Sequence, residues 1–140
     1  MNSMTDENLL DAATEFDFSN DSAVEVVEAV WTITEAEVEQ TESDNGSGTR
    51  HNLTFESEDF PYPITLRQFV EYTPSDESKN TDWVKRSRGI LKNIAKAALG
   101  EPRYSLNPDA ANYIVGRQVK ATTRDGGDGF ATLSKFRSVE

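Results

Sequence analysis

Cysteine is absent from the sequence, histidine occurs only at position 51, and no apolar run is longer than three residues. The absence of cysteine excludes disulfides and thiolate metal sites and predicts a reducing compartment. A Ser-His-Asp arrangement would depend entirely on His51, and a histidine metal site would hold a single imidazole. The short apolar runs favour neither a membrane-spanning helix nor a secretory signal. We therefore expect a soluble cytoplasmic protein that is not an enzyme and needs no cofactor or metal.

Acidic charge is abundant, and it is concentrated in one half of the chain. The 25 acidic and 14 basic residues give a net charge of -11. Residues 1–60 contain 16 acidic residues and 1 basic residue, whereas residues 61–140 contain 9 acidic and 13 basic residues. The overall charge disfavours a polyanionic ligand, but a basic second half can present a positive surface. The simpler interpretation, that the acidic half is a solvated surface, stays open.

The first 22 residues differ in composition from the rest of the chain. They contain six acidic and no basic residues, with few periodic apolar positions. Such a composition predicts a flexible acidic N-terminal arm over residues 1–22. A chain of 140 residues is too short for two ordinary domains, so residues 23–140 are expected to form one domain.

Apolar alternation and turn residues predict five strands. The first covers residues 23–40, and its alternation shifts after Glu35, which indicates a β-bulge. Strict alternation in the third strand places Phe69 and Tyr72 on opposite faces. The other predicted strands are residues 50–56, 64–72, 116–124 and 130–139, and the hairpin turns are residues 43–48 and 125–129.

A basic helix is predicted between the third and fourth strands. Thr81 or Asn80 can cap its start, and Gly100 ends it. A short second helix is predicted from Asn107 to about Val115. The predicted fold class is mainly β with one or two helices (α+β), a five-stranded OB-like Greek-key barrel with a helix between strands 3 and 4.

Single-stranded nucleic acid is bound by cations that follow the phosphate backbone and by aromatic rings that stack on the bases. The second half of the chain offers both kinds of residue. The candidate ssDNA-binding residues are Arg50, Arg67, Phe69, Tyr72, Lys120, Arg124, Phe130, Lys135 and Arg137. Further candidates are a secondary basic ridge on the helix (Lys85, Arg88, Lys92 and Lys96) and the rings of Trp31 and Phe136. The alternative is that the rings form the core and the Lys and Arg residues lie on ordinary exposed strands.

Several short segments occur in an order typical of one family. They are residues 16–19 (Phe-Asp-Phe-Ser), 33–41, 52–56, 72–75, 97–102, 114–121 and 135–137 (Lys-Phe-Arg), with a Gly/Ser turn after the second. In this order the chain resembles small phage-encoded OB-fold single-stranded-DNA-binding proteins of the early or recombination gene cassette. The resemblance implies the OB fold, ssDNA as ligand, no catalysis and the host-cell cytoplasm. The acidic N-terminal segment departs from the family pattern.

The leading hypothesis is largely sequence-independent ssDNA binding in phage DNA replication or recombination. The acidic arm would occupy the cationic groove at low salt and yield to DNA, or would recruit a replication or recombination protein. The alternative is an acidic interaction protein, either a virion component or a DNA-mimic inhibitor, whose carboxylates should spread across the barrel. A nuclease is the third hypothesis and would need a buried carboxylate cluster. The preference between DNA and RNA, the footprint and the oligomeric state stay open.

Overall fold

The computed structural model describes residues 24–104, 107, 112–127 and 129–139. The strands in these ranges are β1 (Glu28–Ser43), β2 (Gly46–Glu56), β3 (Ile64–Pro74), β4 (Gln118–Asp125) and β5 (Ala131–Arg137). One α-helix, α1 (Asp82–Leu99), lies between β3 and β4. The predicted arm over residues 1–22 lies outside the described residues, as do residues 108–111 of the predicted second helix. From the latter segment, Asn112–Ile114 forms a single 3-10 turn.

All five strands form one antiparallel sheet in the order β3-β2-β1-β4-β5. The sheet curls so that its two edge strands, β3 and β5, contact each other, and α1 packs against β3, β4 and β5. The result is a half-barrel with a helix between the third and fourth strands. This confirms the predicted mainly-β, OB-like α+β fold.

β1 is the longest strand and is shared between two partners. Its first residues, Glu28–Thr32, pair with β4, and the rest of the strand pairs with β2. Alternation buries Ala29, Trp31 and Ile33 against the core. The pairing with β2 shifts between Ile33 and Glu35, so Thr34 is an extra residue. This bulge confirms the predicted one, and the bend that a bulge introduces suits a strand shared between both halves of a barrel.

The β1–β2 hairpin is tighter than predicted, because β1 continues to Ser43 and β2 begins at Gly46. The predicted six-residue turn therefore shrinks to Asp44 and Asn45. A Cβ atom on Gly46 would lie 2.5 Å from the Tyr72 hydroxyl, and one on Gly48 would lie 2.5 Å from the Glu71 carbonyl oxygen. The two glycines are thus strand residues that let β3 approach β2 closely, rather than turn residues.

The core lies between the curled sheet and α1. Its fully buried side chains include Trp31, Ile33, Leu53, Phe55, Ile94 and Ile114. Ile94 and Leu91 come from α1 and cover one end of the half-barrel. The helix ends as predicted at Gly100, which adopts the left-handed conformation with φ 80° and donates its N–H to the Lys96 carbonyl.

His51 is fully buried on the inner face of β2. Its Nδ1 donates to the backbone oxygen of Glu37 at 3.1 Å, and its ring lies 5.3 Å from that of Tyr104. Burial lowers the pKa of His51, because the imidazolium loses its hydration, and burial raises the pKa of Tyr104 for the corresponding reason. The only histidine of the chain is therefore a neutral core residue.

We expect the protein to lose stability as the pH falls from about 7.5 to about 5.5, because unfolding lets His51 take up a proton. The unfolded imidazole titrates near its ordinary pKa of about 6.5, whereas the folded one resists protonation below that value. The free energy of unfolding should therefore fall by at most about 1.4 kcal/mol per pH unit. Urea denaturation at several pH values measures this slope, and a His51→Leu variant should flatten it. An unchanged slope in that variant would assign the effect to the carboxylates.

Candidate nucleic-acid interface

A continuous groove crosses the face of β1, β2 and β3 that points away from the core. Beside an acidic depression lined by Glu56, Glu58 and Asp59, it includes three depressions with volumes of about 720, 850 and 570 Å³. Arg50 lines the first two, while Thr65 and Arg67 line the second and the third. Because neighbouring depressions share residues, an extended ligand can pass from one to the next. We call them the aromatic basin, the central groove and the arginine cleft, in that order.

The arginine cleft brings together residues that are distant in the sequence. Arg67 comes from β3, Arg124 from β4, Tyr62 from the segment before β3 and Phe130 from the β4–β5 turn. They meet because the sheet curls until β3 contacts β5. Tyr62 is 41% exposed and Phe130 is 70% exposed. Two cations and two accessible rings therefore line one cleft.

The side chains of the arginine cleft differ in how they are held. The Tyr62 ring lies 4.7 Å from that of Phe60, which in turn lies 5.5 Å from the buried Trp31 ring. Tyr62 is thus anchored to the core through Phe60. Arg67 and Arg124 form no salt bridge or side-chain hydrogen bond with another described residue. Neither guanidinium group is therefore held by a described acceptor, and the positive charge of Arg67 acts on Glu39 without a direct contact.

The aromatic basin contains three mutually contacting rings. Ring centroids are 5.4 Å apart for Phe69 and Tyr72, 5.4 Å for Phe69 and Trp83, and 5.3 Å for Tyr72 and Trp83. The prediction that Phe69 and Tyr72 lie on opposite faces of β3 is wrong. The pairing with β2 shifts between Glu71 and Phe69, and this bulge at Val70 brings both rings to one side.

Trp83 is a residue of this basin that is not among the candidates indicated by the sequence. It stands in the first turn of the helix, next to the rings from β3. Only the contact of α1 with β3 reveals this neighbourhood, so no local sequence signal could have found it. The guanidinium carbon of Arg50 lies 5.8 Å from the Phe69 ring centroid, which places a cation at the edge of the basin.

The central groove has a basic wall and an acidic wall. Arg50, Asn52 and Arg67 come from β2 and β3, whereas Glu35, Glu37 and Glu39 come from β1. Arg50 donates to Glu39 at 2.5 Å, and the Asn52 amide donates to Glu37 at 3.0 Å and to Glu39 at 3.1 Å. The hydrogen bond from Arg50 is the main reason that the pKa of Glu39 is lowered. Arg50 is therefore partly neutralised by a direct ion pair, whereas Arg67 acts on Glu39 only through its positive charge.

The remaining predicted cations lie on the outer face of β4 and β5. Arg137 forms an ion pair with Glu28, and it stands opposite Lys120 in the register. The hydrogen bond from Arg137, together with the positive charges of Lys120 and Lys135, lowers the pKa of Glu28. Lys135 has a φ of 57° and lies where the pairing between β4 and β5 shifts. Both Lys135 and Arg137 are exposed. The predicted ssDNA-binding residues thus form two groups, one that lines the groove and one that surrounds Glu28.

Two of the predicted stacking candidates are core residues instead. Trp31 is fully buried, and its indole Nε1 donates to the backbone oxygen of Ala121 at 3.3 Å. The Phe136 ring lies 5.9 Å from that of the buried Phe55. Both assignments to a ligand surface are therefore wrong: alternation in β1 directs Trp31 inward, and the irregularity of β5 at Lys135 turns Phe136 toward the core. The predicted ridge is exposed on α1 but lines no part of the groove; it consists of Lys85, Arg88, Lys92 and Lys96.

Neither protein-family models nor curated protein sequences give a match to the chain. Within the described ranges, no three His, Cys, Asp or Glu side chains are grouped as metal ligands. No helix in those ranges combines the length and the apolar character needed to cross a membrane.

Proposed function

We propose that the protein binds single-stranded DNA, largely independently of sequence, along the groove that joins the aromatic basin to the arginine cleft. The observation that carries the proposal is the arginine cleft, where Arg67 and Arg124 meet Tyr62 and Phe130. Cations beside accessible rings are the two features that single-strand binding requires. A role in phage DNA replication or recombination is part of the proposal and is supported only by the family resemblance.

The charges of the groove imply a path for the DNA. Phosphates would follow Arg67 and Arg124, because Glu35, Glu37 and Glu39 repel them from β1. Bases would stack on the exposed rings of the cleft and, further along, enter the aromatic basin. Each stacked base contributes about 1–3 kcal/mol, whichever base it is. Binding would therefore be tolerant of sequence, and the acidic wall would keep its affinity moderate.

The test is a titration of the full chain with a dye-labelled dT oligonucleotide of about 30 nucleotides, followed by anisotropy at two salt concentrations. Micromolar or tighter binding that weakens steeply with salt is the expected result. Tryptophan fluorescence gives a second readout, because Trp31 is fully buried and Trp83 lies in the basin. DNA that reaches the basin should quench the emission of the wild type but not that of a Trp83→Phe variant.

The acidic interaction protein remains the competing function, and one observation favours it. Glu35, Glu37 and Glu39 form a row of carboxylates along β1 within the same groove. A partner with a basic surface could bind this row in place of DNA. Absence of ssDNA binding even at low salt would reject our proposal and favour this second function.

Glu28 is expected to weaken DNA binding, because it neutralises cations next to the groove strands. In a Glu28→Gln variant Arg137 loses its ion-pair partner, and the positive charges of Lys120 and Lys135 are no longer offset. We expect the ssDNA affinity at low salt to rise about threefold and the salt slope to steepen by about 0.7, the value of one added contact. Glu101→Gln, at an exposed position outside the Glu28 cluster, is the matched control. Equal gains in both variants would show only the effect of net charge.

A further inference from the structure

A second cleft lies on the helix side of the molecule, separate from the groove. It has a volume of about 370 Å³ and is bounded by α1, the Val70 region of β3 and the segment that follows the helix. Leu91, Ala95, Pro102 and Val70 give it a largely apolar floor. No residue of this helix cleft lines the basin, the central groove or the arginine cleft. It therefore offers a binding surface that DNA in the groove would leave free.

The rim of the helix cleft is cationic. Arg88 and Lys92 stand one turn apart on α1, and Arg103 follows the helix. Arg88 donates to the Val70 backbone oxygen at 2.8 Å, which holds its guanidinium at the cleft. Among the described residues, no aspartate or glutamate lines this cleft. An apolar floor with a purely basic rim fits an acidic segment that carries apolar side chains.

We propose that the helix cleft binds residues 1–22 of the same chain. This segment contains six acidic and no basic residues, together with Leu9, Leu10, Phe16 and Phe18. Its charge is thus complementary to the rim, and its apolar side chains match the floor. Twenty-two extended residues span up to roughly 75 Å. A domain of this size has a radius of gyration of about 14 Å, so the segment reaches the cleft from Val24, where the described chain begins.

Charge also selects between the two sites that could attract an acidic segment. The groove carries Glu35, Glu37 and Glu39 along one wall, and these carboxylates repel a second acidic segment. The helix cleft has no such wall among its described residues. Our proposal therefore differs from the hypothesis that the arm competes with DNA for the groove, because it assigns the arm to a separate site. The inference goes beyond the proposed function and does not require DNA binding to be correct.

Paramagnetic relaxation in the full chain tests the proposal. The sequence lacks cysteine, so a Ser19→Cys substitution carries a single nitroxide label next to Phe18. The label should broaden the amide signals of Leu91, Lys92 and Ala95, and it should leave those of Glu37 and Arg50 in the central groove sharp. A doubly substituted R88E/K92E chain should lose the broadening. K85E is the matched control, because Lys85 is exposed on the same helix but lies outside the cleft.

Salt gives a check that needs no further substitution. Broadening at the cleft should decrease at about 1 M salt, where the Debye length is about 3 Å. Broadening of the groove signals, or of neither site, would overturn the proposal. A second sample mixes spin-labelled chains with isotope-labelled chains that carry no nitroxide. Broadening of the isotope-labelled signals in this mixture would also overturn the proposal, because the segment would then come from a second copy. Equal loss in K85E and R88E/K92E would show general charge attraction without a cleft.

Discussion

Replacing Arg67 and Arg124 together by alanine is expected to weaken ssDNA binding by at least about 100-fold at low salt, because hydrogen bonds to charged groups contribute about 1.5–3 kcal/mol each. Both side chains line the arginine cleft, and neither forms a salt bridge with another described residue. The slope of log K against log salt should fall by about 1.4, since each phosphate contact on a single strand contributes about 0.7. Anisotropy titrations at four or more salt concentrations measure both quantities.

An Arg86→Ala variant is the control for this experiment. Arg86 is exposed on α1 and lines no part of the groove, yet its removal changes the net charge by one unit. Its affinity should stay close to that of the wild type. If the loss of ssDNA affinity per substituted arginine were as large as in the cleft variant, binding would depend only on the overall charge of the protein. The groove would then have no special role.

Phe55→Ala is expected to cost about 3–5 kcal/mol of stability, the usual range for removing a buried phenylalanine. Phe55 is fully buried, and it contacts the Phe136 ring. Such a loss is a large part of the about 5–15 kcal/mol by which domains of this kind are stable. Urea denaturation should therefore show a much lower midpoint, and loss of DNA binding in this variant would follow from unfolding.

Phe130→Ala should give the opposite pattern and serves as the comparison. Phe130 is 70% exposed at the arginine cleft, so its removal should change the free energy of unfolding by less than about 0.5 kcal/mol. It should nevertheless reduce ssDNA affinity by about 1–3 kcal/mol if the ring stacks on a base. A folded variant with unchanged affinity would remove Phe130 from the interface, and a large loss of stability would show that the ring is structural.

The strands and the helix are predictable because their signals are local. Alternation in β1 identifies Trp31 and Ile33 as buried, and Gly100 ends α1 because it can adopt a positive φ. The same alternation correctly indicates a bulge near Thr34. With five strands and one helix placed in order, few barrel topologies remain, and the observed order is the OB-like one.

The site is predictable only in part, because its geometry depends on contacts between distant segments. The sequence indicates Arg67, Arg124 and Phe130 as candidates, but only the closure of β3 on β5 places them in one cleft. The bulge at Val70 reverses the side of Tyr72, and no local pattern marks it. Trp83 reaches the basin through packing of α1 on β3. Positions along an element are therefore predictable, whereas neighbours across elements are not.

The double partnership of β1 has a consequence for folding during synthesis. Its pairing with β2 is local and can form as soon as Glu56 has left the ribosome. Its first residues need β4, and the hydrogen bond from Trp31 to Ala121 spans 90 residues of chain. At about 5–20 residues per second, this separation corresponds to roughly 5–18 s during which one edge of β1 is unpaired. Such distant pairing slows folding and leaves a strand edge open to other chains. Until residues 118–122 emerge, the first residues of β1 therefore lack their native partner strand.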